Sequence, residues 1–295
     1  MAIYHLSVKT ISRSSGRSAT GAAAYRAGAR IKDERTGELF DYRRRKGVLH
    51  TEIVLPSGAP SWAADRERLW NAAEQAETRK NSTVAREFEI ALPHELSPSA
   101  QKALAIAFAR EIVNFHGCAA DVCIHAPSGK GDARNTHAHI LLTTRILDSN
   151  GFCGKTRELD DKNVGPKLVT HWRERWAELA NQYLKQHGID ERIDHHSLRD
   201  QGIDREPMRH LGPAAIGYER RTGEKSRRRL DIEEEIAARL AAAKALGELE
   251  RQQQKIESTI IVLSTDIEKA KQERDFMRQT EAQNMDHDDG FSLDF

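Results

Sequence analysis

Between residues 3 and 186 the chain switches repeatedly between two hydrophobic periods, and that switching restricts it to a sheet covered by helices. Residues 3–9 alternate Tyr4, Leu6 and Val8 with His5, Ser7 and Lys9, the period of a half-buried strand. Residues 48–55, 86–92, 121–126 and 137–146 read as further strands, the last two joined by the polar, Gly-containing loop 127–136. Helical spacing fills the intervals. Ser18 or Thr20 can cap a helix through GAAAYRAGAR, and residues 61–80 put Trp62, Leu69, Trp70 and Ala73 on one face behind a serine cap. Ser97 opens a helix to about Asn114 with Leu104, Ile106, Phe108 and Ile112 inside, and residues 167–186 bury Leu168, Trp172, Trp176, Leu179 and Tyr183. The fold class expected is therefore α/β (α+β), a central sheet flanked by helices.

From about residue 227 the chain turns to Ala, Glu, Leu, Lys, Arg and Gln, the composition of a long helix. Leu249, Ile256, Leu263 and Ala270 recur every seven residues, with Ile260 and Ile267 in the alternate seam. About three heptads of coiled coil are expected, although the β-branched STIIVLS at 258–264 opposes them. The acidic end, DHDDGFSLDF, reads as disordered. No run of about 18 apolar residues is present, and residues 1–30 lack the apolar stretch of a signal peptide, so membrane insertion and secretion are not expected. Cys118, Cys123 and Cys153 make neither a disulfide framework nor a zinc pair, and a reducing cytoplasm is the expected compartment. The net charge of +1 conceals a division: residues 1–50 hold 11 basic and 4 acidic side chains, net +7, while residues 231–295 hold 8 and 16, net −8. A basic start suggests a polyanion, because lysine and arginine gain affinity by releasing counterions from phosphates.

His137 and His139 begin the segment HAHILLTTR, and residues two apart on a strand point to one side, about 7 Å apart. His125 would face them if the strands pair across loop 127–136, giving three neutral nitrogen donors with coordination positions to spare, as suits a metal that works on a substrate. Glu87 and Glu89 share the face opposite Phe88 and Ile90; carboxylates there could orient a ligand's second ring nitrogen, assist a metal, or accept a nucleophile's proton. Tyr25 lies on the first helix with Arg26 and Arg30, after Arg13 and Arg17 in the preceding loop, a setting that suits a phosphate-bearing substrate.

Taken together, MAIYHLSVKTISRSSGRSATGAAAYRAG, EFEIALPHELS, NTHAHILLTTR and IDHHSLRDQGID...HLGP resemble MobA/MobL-type plasmid mobilization relaxases of the MobQ class, in the family's order over residues 1 to about 213. The resemblance implies an α/β sandwich around an antiparallel sheet, related to other histidine-hydrophobe-histidine endonucleases. It also implies a metal-dependent nickase that cuts and rejoins single-stranded transfer-origin DNA to start conjugative mobilization. Carried onto this chain, it makes Tyr25 the 5′-phosphotyrosyl residue and His125, His137 and His139 the holders of a divalent cation. Glu87 takes a supporting catalytic role, with Glu89 the competing choice. Mn2+ or Mg2+ is implied by the family, while imidazoles would also accept Zn2+ or Ni2+. Arg13, Arg17, Arg26, Arg43, Arg44, Arg45 and Lys46 become candidates for tracking the DNA backbone. His195 and His196 are read as structural, since adjacent strand residues face opposite ways. The loop between His125 and His137 is longer than in the best-known members, and a large primase or helicase extension is replaced by the acidic helical tail.

The expected organisation is a catalytic domain at 1–213, a helical extension at 214–280 and an acidic tail at 281–295. The extension would self-associate or contact relaxosome accessory proteins and the conjugative coupling machinery. A rolling-circle replication initiator would use the same chemistry, and a non-catalytic origin-binding scaffold would share the basic start and helical tail; the resemblance favours the relaxase.

Overall fold

A computed structural model describes residues 4–127, 133–197, 200–202 and 211–288. The chain forms two compact units, Met1–Ile203 and Asp204–Phe295. In the first, β1 (Leu6–Ser12), β4 (Val48–Val54), β5 (Thr83–Ala91), β6 (Ala120–His125) and β7 (His137–Thr143) build one antiparallel sheet in the order β1-β5-β7-β6-β4. Two hairpins adjoin it: β2 (Arg30–Lys32) with β3 (Leu39–Asp41), and β8 (Arg145–Asp148) with β9 (Gly151–Lys155).

Alternation along the strands sorts side chains onto two faces. Leu6, Phe88, Ile90, Val122, Ile124, Ala138, Ile140 and Leu142 pack against α3 (Pro98–His116) and α4 (Gly165–Gln186), which contribute Leu104, Phe108, Ile112, Trp172 and Trp176. Each of these large side chains, nearly inaccessible to solvent, contributes about 1.5–3 kcal/mol relative to exposure. The opposite face meets α1 (Ala19–Ala27) and α2 (Arg66–Gln75) through Ala22, Ala23, Ala24, Trp70 and Ala73, over Ile11, Ala85 and Leu141. The alanines of α1 let its backbone lie close to the strands, which matters for the site. Ser18 caps α1 by accepting from Gly21 N at 3.1 Å, and Gly28 ends it at φ +62°, with a β-carbon there meeting Val48 at 3.2 Å.

Several boundaries differ from the sequence expectation. The first strand begins at Leu6 and runs to Ser12, so Tyr4 and His5 precede it. Residues 61–80 divide into a 3₁₀ turn at Ser61–Ala64 and α2, because Asp65 adopts extended backbone and its carboxylate accepts from Arg68 N; aspartate, not serine, caps this helix. The strand expected over 137–146 stops at Thr143, where Thr144 turns the chain into β8. Both hairpins were too short to carry a periodic signal.

His116 ends α3 in the core as a neutral ring: Trp172 Nε1 donates to its Nε2 at 3.2 Å, and its Nδ1 donates to Glu158 at 2.7 Å. Burial lowers its pKa, outweighing the opposing pull of Glu158. A ring whose folded pKa lies below the unfolded value of about 6.5 contributes stability that is complete above that pH and is lost as pH falls through the folded value. The parent is therefore expected to lose more stability to urea between pH 7 and pH 5 than His116→Gln; identical losses in the two proteins would contradict this.

In the second unit, α5 (Pro213–Thr222) starts on proline and closes at Gly223, and α6 (Arg227–Asp288) follows. Glu219 joins them by accepting from Ser226 and Arg229. Leu246, Leu249 and Ile256 are exposed on α6. Of the acidic tail at 281–295, expected to be disordered, residues 281–288 instead continue this helix, and 289–295 lie outside the described residues.

Candidate active site

The pairing of β6 with β7 sets His125 opposite His137 and Cys123 opposite His139, so the three imidazoles emerge on the α1 side of the sheet. Their ring centroids lie 4.7 to 5.5 Å apart, and one nitrogen from each falls within 4.8 Å of the others. The second nitrogen of every ring is tied down. His125 Nε2 donates to the Arg26 carbonyl at 2.7 Å, His137 Nδ1 to the Asn135 carbonyl at 3.0 Å, and His139 Nδ1 to Glu87 Oε1 at 2.6 Å. Those acceptors fix the tautomers and leave His125 Nδ1, His137 Nε2 and His139 Nε2 with their lone pairs free.

His125 Nδ1 is buried without a hydrogen-bond partner, a loss of about 1–3 kcal/mol that a bound cation would relieve. Burial pushes the His125 pKa down to about 4; the charges of His139, Arg45 and His137 add to this, and the hydrogen bond to Arg26 opposes it. His125 is thus neutral near pH 7, as a ligand must be. Three converging imidazoles, each oriented by an outer partner, fit a divalent metal.

Glu87, on β5, is buried and fully engaged. Arg26 Nε and Nη2 donate to its two oxygens, both at 2.6 Å, and His139 Nδ1 takes the third bond. Burial by itself would raise this carboxyl's pKa, but the bonds from His139 and Arg26 overcome it and hold the group well below the usual carboxylate range. These three bonds take most of the carboxylate's acceptor sites and match one of the roles open to it, orienting an imidazole through its second nitrogen. Glu89 faces His139 across β5 and β7 and pairs with Lys9, which is half exposed beside the trio. Glu87→Gln is expected to weaken Mn2+ affinity about 10- to 100-fold and to destabilise the fold by about 3–5 kcal/mol, because Arg26 would be left buried without its carboxylate. Metal titration and denaturant unfolding measure the two effects, and parental values in both would refute the assignment.

Tyr25 stands on the last turn of α1, 48% exposed as a residue. The Arg45 guanidinium lies over one face at 3.8 Å from the ring centroid, and Tyr42 meets it edge-on at 5.3 Å. A cleft of about 810 Å³ opens beside it, lined among others by Arg17, Arg35, Phe40, Tyr42 and Lys80. The tyrosine and the trio are joined through one residue: Arg26, next in sequence, gives its carbonyl to His125 and its side chain to Glu87.

Two of the residues expected to contact DNA are already ion-paired within the protein. Arg13 is held by Glu74 and by the carbonyls of Glu74, Glu77 and Arg79, and Arg26 is locked on Glu87; both are buried or nearly so and serve the fold. A desolvated bidentate pair cannot be released to a phosphate without leaving a buried charge alone. Arg43 pairs with Asp41 on the surface. Arg17, Arg44, Arg45 and Lys46 have no carboxylate partner among the described residues. Lys9 and Lys80, which sequence reasoning did not single out, stand at the site and in the cleft; charge density around residues 43–46 was the stronger signal.

His195 and His196 do not point apart. Their rings lie 3.9 Å from each other because the segment is a loop and strand alternation does not apply; His196 Nδ1 donates to Asp194 at 2.7 Å. Asp194, His195 and His196 also bring their ligand atoms within 4.8 Å of one another.

The MobA/MobL family profile matches residues 17–221, which include every residue of the site from Tyr25 to His139. The chain belongs to the MobA/MobL family. It is 48% identical over 305 residues to "Mobilization protein MobL" of Acidithiobacillus ferridurans, covering 95% of this chain and 80% of that protein. With "Probable mobilization protein MobA" of Bifidobacterium longum it shares 36% over 262 residues, 76% of this chain and 45% of the relative. A solved structure described as "Molecular Basis of Vancomycin Resistance Transfer in Staphylococcus aureus" superposes with a TM-score of 0.59 at 36% identity, covering 66% of this chain and all of that one. This MobA/MobL chain therefore shares both sequence and fold with that solved structure. No helix among its described residues is long and apolar enough to cross a membrane.

Proposed function

We propose that this MobA/MobL chain is a DNA relaxase that nicks and rejoins one strand at a plasmid transfer origin through a covalent 5′-phosphotyrosyl link on Tyr25, initiating conjugative mobilization. The observation that carries the reading is three converging imidazole lone pairs whose outermost partner, the Arg26 carbonyl, belongs to the residue after a half-exposed tyrosine. His125, His137 and His139 would hold the ion. A divalent cation there supplies Lewis-acid charge to the non-bridging oxygens of the scissile phosphate. Hard phosphate oxygens favour Mn2+ or Mg2+, while the imidazoles also accept Zn2+ or Ni2+.

The chain's own groups do the rest. Tyr25 presents the attacking oxygen, Glu87 and Arg26 hold His139 and the helix in register, and Arg17, Arg44 and Lys46 meet the backbone of single-stranded DNA. Attack by tyrosine conserves the phosphodiester energy, so a 3′-hydroxyl can later reclaim the phosphate. We assign this work to residues 1–213, and to the helical extension at 214–280 self-association or contacts with relaxosome accessory proteins and coupling machinery. Relatives named for mobilization and, in "Conjugal transfer protein TraA" of Rhizobium radiobacter at 37% identity, for conjugal transfer favour export over replication in place.

The test is a nicking assay on a transfer-origin oligonucleotide labelled at its 3′ end, with Mn2+. A labelled adduct that survives denaturing electrophoresis is expected. Cleavage that leaves a free 5′-phosphate and no adduct would overturn the reading.

A further inference from the structure

We propose that Arg45 aims the Tyr25 phenol and carries the charge that it develops, in place of tracking DNA phosphates; this rests on the phosphotyrosyl reading above. The turn that bears Arg45 is fastened to both parts of the site. Tyr42 N donates to the Ala29 carbonyl just past α1 at 3.0 Å, Arg45 N to the Tyr42 carbonyl at 2.9 Å, and Ala126 N, directly after His125, to the Gly47 carbonyl at 2.8 Å. Gly28, left-handed at φ +62°, ends α1 beside this turn.

From that anchored position the side chain addresses a single residue twice. Its guanidinium carbon lies 3.8 Å above the Tyr25 ring centroid, and Nη1 donates to the Tyr25 carbonyl. That carbonyl is one of the orphan acceptors in the last turn of a helix, and its neighbour, the Arg26 carbonyl, is taken by His125. A guanidinium and a metal-site imidazole thus cap adjacent carbonyls of the helix that bears the nucleophile. Cations at that end also suit the helix dipole.

Three other arginines of this region are neutralised: Arg13 by Glu74, Arg26 by Glu87 and Arg43 by Asp41. Arg45 is half-buried with no carboxylate among the described residues, so its charge faces the ring. Attraction between a cation and an aromatic face grows as the phenol oxygen feeds negative charge into the ring. Tyr42, edge-on, limits the ring's other freedom. Lysine would retain the charge but lose the planar stack and the fork of donors.

In nicking, the Tyr25 oxygen bonds to phosphorus, the P–O3′ bond breaks, and the proton given up by the phenol is matched by one gained at the departing 3′-oxygen. Rejoining reverses each change. Arg45 stabilises the nucleophile in one direction and the leaving group in the other, so its loss slows both steps by one factor and leaves the cleavage equilibrium unchanged.

The experiment compares full-length parent, Arg45→Ala, Arg45→Lys and Tyr25→Phe on a transfer-origin oligonucleotide with Mn2+, measuring single-turnover nicking and rejoining. DNA affinity is read by anisotropy in the uncleaving Tyr25→Phe background, with and without Arg45→Ala. Arg45→Ala is expected to lower both rate constants by roughly 10- to 100-fold, Arg45→Lys to recover part of the loss, and affinity to stay within about threefold. Parental rates with weakened affinity would overturn the proposal in favour of a phosphate contact. If Arg45→Ala does not fold, Arg45→Lys decides, and parental rates in both directions overturn it. Adduct formation by Tyr25→Phe would remove the phosphotyrosyl reading itself, an outcome distinct from failure at Arg45 alone.

Discussion

Tyr25→Phe is expected to abolish nicking and the covalent adduct, with a rate loss of at least about 10⁴-fold, while binding the same oligonucleotide within about threefold of the parent. The change removes one oxygen from a ring that is already half exposed, and the stack under Arg45 and the edge contact with Tyr42 need only the ring. Neither the core nor the trio loses a bond. Binding draws on Arg17, Arg44 and Lys46 and on the basic groups of the cleft, and those persist. Among the described residues Tyr42 is the phenol beside Tyr25, and Tyr42→Phe should retain adduct formation, which separates the two. Electrophoresis of the labelled oligonucleotide reads the result; an adduct of undiminished yield in Tyr25→Phe would place the nucleophile elsewhere.

Removal of the ion is expected to have an effect of similar size. Saturating chelator should stop cleavage by the parent, and His137→Ala should lower Mn2+ affinity by at least about 100-fold. His137 is the most informative of the three rings to remove. Among the described residues its ring bonds only to the Asn135 carbonyl, whereas truncating His139 would strip a partner from buried Glu87, and truncating His125 would uncap the Arg26 carbonyl beside the nucleophile. A loss in His137→Ala therefore reports ligation with little collateral damage to the fold. Thermal unfolding should remain close to the parent's, and added Mn2+ should restore part of the activity. Full nicking by His137→Ala in saturating chelator would remove the metal from the mechanism.

What the amino-acid order determined alone was the set of local periods. HAHILLT and EFEIA announce strands whose polar residues share a face, and α3, α4 and α6 follow from helical spacing, because a period is a property of neighbours in sequence and survives in a single chain segment. The convergence of His125 on His137 and His139 was legible conditionally, since it needed only a β6–β7 pairing in one register. Which charges are spent on the fold was not. Arg13, Arg26 and Arg45 look alike as members of a basic N-terminus, yet the first is fastened to Glu74, the second to Glu87, and the third lies on a tyrosine ring. Glu74 and Glu87 stand some sixty residues away from their partners, so no periodicity links them. Only the packing of an alanine-rich helix onto the sheet brought them within hydrogen-bond reach, and in a desolvated site that proximity decides whether a charge is structural or left to act.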